Sequence, residues 1–115
     1  MKYLMLVCED PTAEPYRRED DDIETWAATT HDVRVVGERL RPIAEARTVR
    51  VRGGELSVTD GPYAEVGEQI AGFDVLECDS FDQAVEVASR HPMARFGRLV
   101  VREAWPFEDG TTLLE

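Results

Sequence analysis

Thr48-Val49-Arg50-Val51-Arg52-Gly53-Gly54-Glu55-Leu56-Ser57-Val58-Thr59 is a β-hairpin written in sequence. Two alternating apolar and polar runs meet at Gly53-Gly54. A two-residue hairpin turn needs positive φ, which glycine adopts without steric cost. Pairing across the turn sets Val51 against Leu56 and Val49 against Val58 on one face. It sets Arg52 against Glu55 and Arg50 against Ser57 on the other, with Thr48 beside Thr59 at the open end. One apolar and one polar face predict a half-buried hairpin.

On the N-terminal side, Tyr3-Leu4-Met5-Leu6-Val7-Cys8 is an unbroken apolar run, which predicts a central strand covered on both faces. Acids in the first turn of a helix meet the positive end of its dipole, so Asp20-Asp21-Asp22 before Ile23 predicts a short helix over about 17–30. Ile23, Trp26 and Ala27 share its apolar face. Val33-Arg34-Val35-Val36 reads as a second strand, and Gly37 to Pro42 as an irregular crossing. On the C-terminal side, Thr59 to Tyr63 is a turn and Gln69 to Cys78 a strand, with Phe73 and Val75 facing one way. Ser80 and Gln83 form a capping box for a helix with Phe81, Ala84, Val85 and Ala88 as its buried stripe. His91-Pro92 stops that helix, because the residue before proline avoids the α region. Arg98 to Arg102 is the last strand. Residues 1–105 are expected to form one domain and 106–115 a loose tail, apart from Trp105 and Phe107, which could dock.

The order strand, helix, strand, inserted hairpin, strand, helix, strand is a split βαβ repeat. It predicts an α+β ferredoxin-like sandwich with its helices on one face of an antiparallel sheet. The other face needs a cover, and a second copy of the sheet is the natural one. A homodimer, paired as a dimeric α/β barrel, is therefore expected.

The 115 residues carry a formal net charge of −11. Such a surface repels phosphate backbones, and the basic residues form no patch, so direct nucleic-acid binding is not expected. No stretch reaches the roughly 18 apolar residues of a membrane helix, and Met1 to Cys8 lacks the form of a signal peptide. A cytoplasmic protein with two buried free thiols, Cys8 and Cys78, is expected. No zinc spacing, phosphate loop or nucleophile elbow is present, and no cofactor or metal is predicted. The acids from Glu19 to Asp22 lack the alternation and mid-loop glycine of a calcium loop and read as a solvated, helix-starting face.

Val58-Thr59-Asp60-Gly61-Pro62-Tyr63-Ala64-Glu65 resembles the signature of the DGPF proteins in the YCII-related family, with Tyr63 where Phe is usual. Met1 to Leu6, Gly37 to Pro42, Thr48 to Arg52 and Glu68 to Phe73 resemble further stretches of the family in the same order. The resemblance implies a ferredoxin-like fold that dimerises into an α/β barrel, with no established activity. It also implies, for some members, association with sigma factors of the extracytoplasmic-function type, so a sigma-type transcription factor is a candidate partner. Broader relatives carry a His–Asp pair suspected of catalysis. The His lies on the first helix and the Asp just after the second. Here His31 falls past the end of the first helix, and His91-Pro92 stands where those relatives have Asp-Pro.

The candidate site residues are Glu38, Arg39, Asp60, Tyr63 and His91. Asp60 could be a base or ligand group, or make an Asx-type turn with Gly61-Pro62. Glu38 and Arg39 could grip a charged ligand or form an internal salt bridge, and Arg39 could meet Asp60. His91 could be a general base near neutral pH or a partly charged cap at a helix C-terminus. His31 reads as surface. Ligand binding to Glu38, Arg39 and Tyr63 in a dimeric module that takes a small polar molecule or a protein partner is the leading expectation. The rival is a small enzyme acting on an organic acid or ring substrate, with Asp60 or His91 as its proton carrier.

Overall fold

Strand β1 (Lys2–Glu9) runs between two antiparallel neighbours, β5 (Gln69–Glu77) and β6 (Arg98–Glu103), and β2 (Arg34–Arg39) completes the sheet beyond β5. The order is β2-β5-β1-β6, in a computed structural model that describes residues 1–61 and 69–111. Three helices complete the body: α1 (Ile23–Thr30), α2 (Phe81–Ser89) and the short α3 (Met93–Phe96). Strands β3 (Arg47–Arg52) and β4 (Glu55–Asp60) form a separate two-stranded sheet. The fold is therefore α+β, a four-stranded antiparallel sheet plus a hairpin.

Strand alternation divides the sheet into two faces. Tyr3, Met5, Val7 and Leu76 point toward the helices and pack with Trp26, Ala84, Val87 and Ala88 in one core. Leu4 pairs with Val75, and Leu6 lies between Phe73 and Val100, on the helix-free face. On that face Val75 is only 3% exposed, and Leu4, Leu6, Phe73 and Val100 are half-buried. Among the described residues, no helix is long and apolar enough to cross a membrane.

The hairpin register is the expected one, with Val49 beside Val58 and Val51 beside Leu56. Gly53 and Gly54 have φ of 58° and 80°, as the turn requires. The predicted burial does not follow, because Val49, Val51, Leu56 and Val58 are all more than half exposed. Among the described residues nothing covers the apolar face of the hairpin.

Other expectations need correction. The first helix starts only at Ile23, and a separate 3-10 turn at Arg18–Asp20 precedes it. Strand β2 continues through Gly37 to Arg39, where a crossing was expected. The buried stripe of α2 is Ala84, Val87 and Ala88. Phe81 and Val85 are substantially exposed, although Phe81 meets the Tyr3 ring edge-on at 5.3 Å. Trp105 is 95% exposed and does not dock. The capping box forms, with the Gln83 N–H donating to Ser80 Oγ and Gln83 Oε1 accepting from the Asp79 N–H.

Candidate functional site

An open cleft of about 390 Å³ lies at the β2 edge of the sheet, between the start of α1 and the turn from α2 into α3. It brings together Trp26, Arg34, Glu38, Arg39, Asp74 and His91. Three of the predicted site residues, Glu38, Arg39 and His91, thus share one cleft. Asp60 is not among its lining residues. It ends β4 with a side chain 98% exposed, 4.0 Å from Arg47. Tyr63 lies outside the described residues, and His31 caps the end of α1.

Each polar group in the cleft is held by a local reason. Asp74 sits on β5 opposite Gly37 of β2, facing the helices and only 5% exposed. A buried carboxylate needs a cationic, hydrogen-bonding partner. Arg34 supplies it, its Nε donating to Asp74 Oδ1 at 2.5 Å. Burial pushes the Asp74 carboxyl above its usual range, and the Arg34 guanidinium offsets part of that push. Gly37 makes the room, since a Cβ there would lie 1.9 Å from Asp74 Oδ1 and 2.8 Å from Arg34 Nη2. The Arg34 guanidinium also lies 6.0 Å from the Trp26 ring centroid, a cation–π distance.

Trp26 is 3% exposed, and its Nε1–H donates to the Val87 carbonyl at 2.9 Å, which fixes the ring. The His91 ring meets it nearly edge-on at 4.7 Å. His91 is 7% exposed, and burial is the main cause pushing its pKa down to about 4, against the pull of Asp21 and Asp22. The imidazole is therefore neutral at pH 7, which corrects the expectation of a partly charged helix cap. Its Nδ1 accepts from the Met93 N–H at 3.0 Å, so the ring proton sits on Nε2. Among the described residues no buried side-chain nitrogen or oxygen lacks a partner. Nε2 has no hydrogen-bond partner among the described residues, and His91 is one of the residues that line the cleft.

The charges are unevenly committed. Arg34 is taken by Asp74. Asp21 accepts from Tyr16 Oη–H at 2.5 Å and from the Ile23 N–H at 3.1 Å. Strand pairing places Arg39 beside Gly72 on the helix-facing side and Glu38 beside Phe73 on the other. No salt bridge joins Glu38 to Arg39, and Arg39 has no ion-pair partner among the described residues. The cleft thus offers, among the described residues, an uncommitted cation, a neutral imidazole and a rigid aromatic wall. Among the described residues, no group of three or more His, Cys, Asp or Glu could hold a metal ion.

Sequence reasoning missed Trp26, Arg34, Gly37 and Asp74 as site residues. Asp74 left a signal, as a lone charge inside the apolar run Ile70 to Leu76, where an ionised group is rarely buried without a partner.

Fold and cleft define a small α+β protein with a pocket beside its sheet. The chain matches the YCII-related domain over residues 1–108 and belongs to that family. A stretch of 50 residues is 46% identical to the uncharacterized protein R00369 of Rhizobium meliloti (strain 1021). That match spans 44% of this chain and 40% of the relative, well under two thirds of its length. Among solved structures, the chain resembles 5-chloro-2-hydroxyhydroquinone dehydrochlorinase (TftG) from Burkholderia phenoliruptrix AC1100, in complex with 2,5-dihydroxybenzoquinone. The TM-score is 0.53 at 14% identity, covering 96% of this chain and 100% of that one, a likeness of fold alone.

Proposed function

We propose that this protein is a cytoplasmic, ferredoxin-like module that pairs into a dimeric α/β barrel and binds a small polar molecule in the Arg39–His91 cleft. The observation that carries the reading is the convergence, in one cleft beside a locked tryptophan, of the neutral His91 imidazole and the Arg39 guanidinium, which has no ion-pair partner among the described residues. A cation and a neutral donor suit two oxygens of one ligand, the more acidic on Arg39. The apolar wall suits a flat body. A small planar ring bearing an acidic oxygen fits both. The 2,5-dihydroxybenzoquinone bound by the structurally similar TftG is a molecule of this kind. The helix-free sheet face and the exposed apolar face of the hairpin support the dimer, and the two buried free thiols support a reducing compartment.

The rival reading, a small enzyme with an Asp or His proton carrier, is favoured by the dehydrochlorinase name of that neighbour and by the presence of Asp74 and His91 in one cleft. The details favour binding. The only basic nitrogen of neutral His91 is already occupied by the Met93 N–H, and Asp74 is tied to Arg34.

Calorimetric titration with 2,5-dihydroxybenzoquinone tests the proposal. The expected result is saturable binding, weakened roughly tenfold or more by Arg39→Gln, with the ring compound recovered unchanged. Absence of binding, or equal affinity in the variant, would contradict the cleft assignment. Conversion of the compound would favour the enzyme.

A further inference from the structure

We infer that a second cavity, which shares Arg39 with the cleft, takes an aliphatic chain carried by the ligand of the Arg39–His91 cleft. The inference rests on the small-ligand reading above and narrows the ligand class. The ligand is a planar ring with an acidic oxygen and an alkyl branch on the neighbouring ring carbon. The second cavity holds about 400 Å³. Arg39 and Ala71 line it with Leu40, Pro42, Ile43 and Ile70, and the same Arg39 and Ala71 line the cleft. The two spaces are therefore neighbours, with Arg39 and Ala71 at their junction.

The backbone builds this junction. Val7 pairs with Gly72 and Cys8 with Ile70, so Ala71 is an extra residue of β5 with no partner on β1. Such a bulge bends its strand and re-aims the residues around it. On its other side Ala71 is held, its carbonyl accepting from the Leu40 N–H at 2.8 Å. Pro42 then turns the chain into the 3-10 turn Ile43–Glu45, closed by the Glu45 N–H donating to the Pro42 carbonyl at 2.9 Å. That turn packs on β5, and the half-buried Ile43 and Ile70 both line the cavity.

The chemistry of the second cavity differs from that of the cleft. Five of its eight lining residues are apolar, and none of the eight is aromatic. The others are Glu9, Arg39 and Arg41, and Arg41 is committed to Glu45 at 3.0 Å. Glu9 repels a second acidic group there, so the space suits methylenes, whose burial removes apolar surface from water. Arg39 joins the two halves of the ligand. An acidic oxygen on its guanidinium leaves the ring to lie against Trp26 and His91. The ring carbon beside that oxygen is the position from which a chain reaches past Arg39.

Calorimetric titration with 2,5-dihydroxybenzoquinone and its 3-methyl, 3-propyl and 3-hexyl homologues tests the inference, in the wild-type chain and in Leu40→Asn and Ile43→Asn. In the wild type the affinity should rise roughly threefold per methylene at unchanged stoichiometry. Each variant should bind the parent compound as the wild type does and lose most of the gain from the chain. Circular dichroism checks the fold of both. Leu40 is 43% exposed, so Leu40→Asn leaves the core intact and decides the outcome if Ile43→Asn unfolds. No binding of any of the compounds would overturn the ligand reading and the chain cavity with it. Parent binding with homologues no tighter would overturn the chain cavity alone. So would a gain with chain length that survives both substitutions, since the chain would then lie elsewhere.

Discussion

Arg34 Nε donates to Asp74 Oδ1 at 2.5 Å across the β2–β5 pair, joining a buried carboxylate to a guanidinium that borders the cleft. Removing one partner of such a pair leaves an uncompensated charge, whereas removing both leaves two neutral groups. Arg34→Met should therefore cost about 2–4 kcal/mol in chemical denaturation. Arg34→Met with Asp74→Asn should cost less than the two single changes added together, with a coupling of about 1–3 kcal/mol. Additive losses would mean the ion pair contributes nothing.

Gly37 lies under the same pair, and its role here is space, since its φ is not positive. A methyl group at that position would overlap Asp74 Oδ1. The carboxylate cannot simply swing into water, because it is buried between strand and helices. Gly37→Ala should destabilise the protein by about 2–3 kcal/mol, an overpacking effect combined with a weakened ion pair. The same change at Gly37 in an Asp74→Ala background should be much milder, and equal losses in the two backgrounds would contradict the steric account.

These residues also mark how far the sequence could be read. The hairpin register was legible to the residue, because Gly53-Gly54 fixes the turn and the alternation fixes the faces. The order of elements along the chain, four strands of an antiparallel sheet with helices and an inserted hairpin between them, was legible too. The exposure of Val49 and Leu56 was not legible. Alternation reports which residues share a face, and it is silent on whether anything covers that face. The cleft was half legible. Glu38, Arg39 and His91 were chosen as chemistry-bearing residues at element ends, and they do converge. Asp60 was chosen for the turn it begins, and the turn leaves it at the exposed end of the hairpin. The Arg34–Asp74 contact spans 40 positions, a pairing that only the β2–β5 register reveals.

His91 gives stability a pH dependence. Its folded pKa lies near 4, below the ordinary 6.5. The unfolded chain therefore binds more protons between these values, and stability falls as pH falls. The contribution is fully present above about pH 6.5 and lost by about pH 4, and it amounts to about 3 kcal/mol at 1.36 kcal/mol per pKa unit. Asp74, raised by burial, acts in the opposite sense, since the folded chain takes that proton more readily. Comparing wild type with His91→Gln isolates the histidine. The variant should lose the part of the slope between pH 6.5 and 4, and identical pH profiles would show that His91 is not held neutral.

Positive φ at Gly54 makes the turn intolerant of a β-branched residue. Gly54→Val should loosen the hairpin by about 1–2 kcal/mol. Because the hairpin is a separate two-stranded sheet, amide hydrogen exchange should accelerate roughly tenfold in β3 and β4 and hardly change in β1 and β5. Unchanged protection in the hairpin would contradict the turn geometry.

The most direct test of the central claim is a nitrogen-15 NMR titration that follows the His91 imidazole and the Trp26 indole as 2,5-dihydroxybenzoquinone is added. His91 lines the cleft, and Trp26 is locked beside it by the Val87 carbonyl. The account predicts that both signals shift together along one saturable curve, and that the curve moves to higher concentration in Arg39→Gln. Saturable shifts confined to the hairpin around Asp60, with His91 and Trp26 unmoved, would contradict it.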